Sequence, residues 1–221
     1  MKRIHPVRRV LAGVALLWMS LAGCAHADSA VEGALARIRN EWAVVMFQVA
    51  PEKRSVALDT LAQMARGVAE RYPGEAGPIA WEGIVLASYA DLRGPVLGYL
   101  AAQRARGLLQ EAERRAPASL DGIGYGALAS LYWNALPWPL SFGSTDTARA
   151  YLQKALATAP DTLEAQLLLT LLLLDQGDTR GATRSARRAL AAHDPSGLGD
   201  EIPPARRHEL IRVLVAAESR R

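Results

Sequence analysis

The stretch Gly143-Ser-Thr-Asp-Thr-Ala148 returns 34 residues later as Gly177-Asp-Thr-Arg-Gly-Ala182. The match continues through Leu152 with Ala186, then Lys154-Ala155-Leu156 with Arg188-Ala189-Leu190. Each copy runs on to a proline, Pro160 and Pro195, with one extra residue in the second. A fixed internal period of this size marks a repeat architecture, in which one supersecondary unit buries its apolar face on the next. Working outward, Pro73 and Pro117 close two earlier segments at spacings of 44 and 43 residues, long enough for two helices and their turns. Proline lacks the N–H a helix interior needs, so each of these positions reads as a stop.

The units read as helical. Ala, Leu, Arg, Glu and Gln dominate beyond residue 28, with no sustained alternation of period two. The expected pairs are 28–49 with 55–72, 78–92 with 96–116, 122–135 with 145–159, and 162–176 with 179–193, followed by a helix over 204–219. Gly177-Asp178 predicts a turn and an N-cap, and Asp161 with Glu164 a capping box. The leucine-rich run from Gln166 to Leu174 is too short to cross a bilayer and lies between Glu164 and Asp175. It reads as an internal helix covered by neighbours on both sides, and Leu168→Asp is expected to unfold the C-terminal half.

These residues resemble the tetratricopeptide repeat. Ala148 and Ala182 stand at its first small position on the second helix, Ala155 and Ala189 at its second, and Gly143 and Gly177 in the inter-helix turn. Trp81, with Ile84 and Val85 behind it, matches the large residue of the first helix. The likeness is good over 123–195 and loose over 30–117, where the first two units are longer and lack the inter-helix glycine at its place. In the third unit Pro137 and Pro139 shorten the first helix and leave 136–143 as an ordered loop. The resemblance implies an all-α helical-repeat solenoid of about four helix pairs plus a C-terminal capping helix. It also implies a concave face lined by first helices, which by register includes Asn40, Glu82, Tyr89, Trp133 and Glu164. In the loop, Trp138 and Phe142 read either as pre-set anchors for a partner or as plugs filling the space beside the shortened helix.

The N-terminus has the order of an export signal: Lys2, Arg3, Arg8 and Arg9, then an apolar run from Val10 to Met19, then small residues. Leu21-Ala22-Gly23-Cys24 resembles the bacterial lipobox, which implies a signal peptide over 1–23, lipidation at Cys24 and a single domain over 24–221 at the periplasmic side of the outer membrane. Ala25-His26-Ala27 offers the alternative, cleavage after Ala27 and a soluble periplasmic protein. The leader carries four basic side chains and no acid against a whole-chain net charge of +4, so the remainder is near neutral. Nucleic-acid binding thereby loses its compositional argument.

Chemistry is scarce. Cys24 is the sole cysteine, and His193 and His208 have no ligand at i+4, so neither a metal site nor a cofactor is expected. No nucleophile-elbow, zinc-protease or Walker pattern occurs, and Gly122-Ile-Gly124-Tyr-Gly126 lacks both a preceding strand and a sixth-position glycine. The expectation is a protein rather than an enzyme partner site: a scaffold for an envelope protein or peptide, with oligomerisation left open. The segment Tyr132 to Leu156 is similar to exported bacterial repeat proteins. A more distant likeness, to the T-component of TRAP-type transporters, implies the alternative of an accessory to periplasmic solute uptake.

Overall fold

The computed structural model describes residues 29–160, 163–192 and 211–215, and these are helices and their connections, with no strand among the described residues. Helix α1 spans 29–47, α2 Pro51–Arg71, α3 Ala76–Leu97, α4 Tyr99–Arg115, α5 Asp121–Asn134, α6 Thr145–Thr158, α7 Leu163–Asp175 and α8 Thr179–Ala192. A 3-10 turn at Pro117–Leu120 leads into α5, and 211–215 forms a further helical segment, α9. The four expected pairs are therefore present. Within the last expected helix, only 211–215 falls among the described residues.

Two kinds of helix alternate. The buried residues of α4 are Ala105, Leu109 and Ala112; those of α6 are Ala148, Leu152 and Ala155. On α8, Ala182, Ala186 and Ala189 repeat the same four-then-three spacing, with Thr183 and Ser185 also buried beside them. A stripe this narrow belongs to a helix with one covered face, and its alanines let the neighbouring backbone come close. The stripe on α4 carries the pattern into the part of the sequence where the match was loose. By contrast α3 buries residues around much of its circumference, from Ala76 to Ala90. It packs on α2, α4 and α5, while α5 packs on α3, α6 and α7.

The pairs are held by specific contacts as well as apolar area. The Trp42 ring meets Trp81 edge-on at 6.0 Å, and its Nε1 donates to Ser88 Oγ at 2.9 Å, tying α1 to α3. Between α4, α5 and α6, Tyr151 stacks with Tyr125 and Tyr132 at 6.4 and 5.7 Å. Lys154 Nζ donates to Glu113 Oε1 at 2.6 Å above two of these rings.

The turns reveal what the repeated glycines do. Gly177 has φ +78°, a conformation that favours glycine, and Asp178 then caps α8 by accepting from Gly181 N at 2.8 Å. Gly143, its partner in the sequence match, has no such φ; there a Cβ would lie 2.1 Å from the Ala135 carbonyl oxygen. One position needs backbone freedom and the other needs space. The second pair turns on a different glycine: Gly94, at φ +73°, breaks the end of α3 just before Pro95, eleven residues ahead of Ala105 where the later units have five.

The leucine run also differs from expectation. Leu167 and Leu172 are buried, but Leu168, Leu169, Leu171, Leu173 and Leu174 keep partial exposure. The reason is that α7 packs on α5, α6 and α8, with Val213 of α9 joining Leu167 and Leu171, and leaves the side that carries Leu168 open.

Candidate functional site

That open side is one wall of a groove of about 330 Å³. Every first helix contributes to it: Trp42 and Met46 from α1; Ile84, Ala87, Ser88, Asp91 and Leu92 from α3; residues from Ile123 to Asn134 of α5; and Leu167, Leu168 and Leu171 from α7. From α2, Arg54 joins the lining. The α3 positions follow a strict helical face, stepping by three, one, three and one. Small side chains make the floor, namely Ala87 and Ser88 on α3 with Gly126, Ala127 and Ser130 on α5. A Cβ built at Gly126 would meet nothing within 4 Å, which shows how open the floor is.

One polar cluster interrupts this apolar surface. Ser130 Oγ donates to Asp91 Oδ2 at 2.7 Å, and Asn134 Nδ2 donates to Asp91 Oδ1 at 3.1 Å. Asn134 Nδ2 also reaches Ser130 Oγ at 3.1 Å. Asp91 and Asn134 additionally line a second hollow of about 200 Å³, bounded by Gly94, Pro95, Tyr99 and Ser141, so the cluster forms the divide between the two. Burial pushes the Asp91 carboxyl up from its ordinary value, while the bonds from Ser130 and Asn134 act in the opposite direction. Packed atoms crowd the carboxylate, yet the residue as a whole stays exposed. Ser141 Oγ, on the second hollow, is buried with no hydrogen-bond partner.

Of the residues expected on a concave face, Trp133 lines the groove. Asn40, Glu82 and Tyr89 do not line it. Glu82 is 4% exposed and accepts from Arg104 Nη2 at 2.5 Å, sealed between α3 and α4 rather than displayed. It precedes Ile84 by two residues, about 200° around the helix. Asn40 precedes Trp42 by the same step and points to solvent. Tyr89 is half-buried, with the Arg93 guanidinium 6.0 Å from its ring centre. Glu164 lies at the start of α7, and its side chain is outside the described residues, as are Cys24, Asp161, His193 and His208.

The loop pair separates into two roles. Phe142 is half-buried, edge-on to Tyr132 at 5.4 Å, with Arg106 4.2 Å above its ring, the packing that the plug reading expects. Trp138 is 83% exposed, beside the cis Trp138–Pro139 bond, and lines neither hollow. Sequence reasoning missed Asp91, Ser130 and Asn134. The signal was available in the spacing Ile84, Ala87, Ser88, Asp91, an acid on the small-residue face of an otherwise apolar helix.

Among the described residues no group of three or more His, Cys, Asp or Glu is arranged to hold a metal ion, and no helix is long and apolar enough to cross a membrane. The Gly122–Gly126 segment lies inside α5, where Asp121 Oδ1 accepts from Ile123 N at 2.9 Å and Gly124 N at 3.2 Å. No protein-family model matches the chain, and comparison with curated proteins finds no significant match.

Proposed function

We propose that this chain is a non-catalytic interaction scaffold of the bacterial cell envelope, a tetratricopeptide-type solenoid anchored through Cys24 that receives a peptide or helix of a partner protein. The observation that carries the reading is the groove floored by small residues and walled by α1, α3, α5 and α7. Open apolar channels between parallel first helices suit an elongated ligand, whose side chains enter at helical or extended spacing. The 4-3 alanine stripes of α4, α6 and α8 support the repeat assignment, since they place equivalent close contacts in successive units.

The test is site-specific photocrosslinking in the producing cell, with the reactive residue at Leu168 or Gly126 in the groove and at Gln63 on the exposed face of α2. Groove positions are expected to trap one common protein that Gln63 does not. Trapping nothing from the groove, or the same products from all three positions, sinks the scaffold reading. Fatty-acid labelling of the parent against Cys24→Ser tests the anchor separately. The groove volume is also within the range of small-molecule sites, which favours the solute-uptake accessory as second reading. Native mass spectrometry of the purified chain distinguishes it by a co-purified small ligand.

A further inference from the structure

The groove is not only apolar, and its one carboxylate is incompletely used. A carboxylate offers about four lone-pair sites, and the cluster occupies two, one on each oxygen of Asp91. Among the described ion pairs none includes Asp91. The nearest basic residue in sequence, Arg93, lies against the Tyr89 ring instead. Arg54, the basic residue in the groove lining, turns its Nε to the Val49 carbonyl at 2.8 Å. A carboxylate bordered by apolar side chains and lacking a basic partner gains from a ligand that brings the complementary charge.

We infer that Asp91, held by Ser130 and Asn134, makes the groove selective for a peptide segment that places a lysine or arginine beside apolar side chains. This rests on the scaffold reading and adds the chemistry of its ligand. Ser130 and Asn134 each hold one carboxylate oxygen, and Asp91 remains part of the groove lining. The apolar neighbours of the incoming cation would contact Trp133, Leu168 and Leu171. Water expelled from the floor strengthens the charge pair, while a neutral or acidic side chain at the same place leaves Asp91 uncompensated.

The experiment pans a random twelve-residue displayed peptide library against the full chain and against two variants. Gly126→Phe fills the floor, where a side chain meets open space, and Asp91→Asn removes the charge at nearly constant shape. Circular dichroism melts establish that both variants fold. Peptides lost on Gly126→Phe define groove ligands, and these are expected to be enriched in a Lys or Arg flanked by apolar residues. For one synthetic groove ligand, replacing that cation with norleucine should weaken binding about tenfold or more, as should Asp91→Asn. The two changes together should cost little more than either alone. Groove ligands without a cation, or binding unmoved by Asp91→Asn, overturn the inference while leaving the scaffold standing. An absence of peptides sensitive to Gly126→Phe overturns both.

Discussion

Trp138 and Phe142 are four residues apart in one loop, yet one is exposed and the other half-buried. Trp138→Ala removes little buried area, and its melting temperature should stay within about 1 °C of the parent. Phe142→Ala vacates the contact with Tyr132 and Arg106, and a loss of about 1–2 kcal/mol, or several degrees, is expected in the same melts. Asp91 makes a prediction of the other sign. Burial holds its folded pKa above the unfolded value of about 3.9. The folded chain thus binds this proton more readily than the unfolded one. Ionisation subtracts stability as pH rises through that interval and subtracts nothing below the unfolded pKa. Asp91→Asn should therefore be at least as stable as the parent at pH 7, with the advantage closing as pH falls towards 4. Urea denaturation across that range checks it; a parent more stable than the variant at neutral pH contradicts it.

At the scale of the helix, Leu172 and Leu168 offer a matched comparison on α7. Leu172 is buried to 1% exposure, and Leu172→Ala should cost about 2–5 kcal/mol. Leu168→Ala should cost less than half as much by chemical denaturation, since its side chain faces the groove. Equal losses would mean that the groove wall is ordinary core. Helix positions were legible because prolines, glycines and caps are local signals: Pro73, Pro117 and Gly177 each act within a few residues of where they stand. Helix rotation was not. A face is set by which neighbours pack against it, and one residue of error turns it by about 100°. Glu82 and Asn40 are thus on the correct helices, pointing away from the groove. The matched glycines teach the same lesson, since Gly143 and Gly177 occupy one sequence position for different physical reasons.

For the molecule as a whole, helices pack largely on partners near in sequence, with α3 and α5 bridging the pairs on either side. Stability in such an arrangement is graded along the chain rather than uniform. Amide exchange under native conditions should be slowest in α3 and α5 and faster in α2 and α8; uniform protection across all helices would indicate a single cooperative core. The groove draws on that gradient, since α7 supplies Leu168 and Leu171 from the less protected side.

The four tryptophans among the described residues occupy three different settings. Trp42 and Trp81 are buried against one another, Trp133 stands in the groove, and Trp138 lies in the open. The protein thus carries a built-in optical readout. A polar quencher such as iodide reaches Trp138 first and leaves the inner pair bright, whereas a ligand entering the groove shifts the emission of Trp133 and of Trp42, which also lines it. With Trp138 replaced by phenylalanine, occupancy of the groove becomes visible in the intrinsic fluorescence of the unlabelled chain.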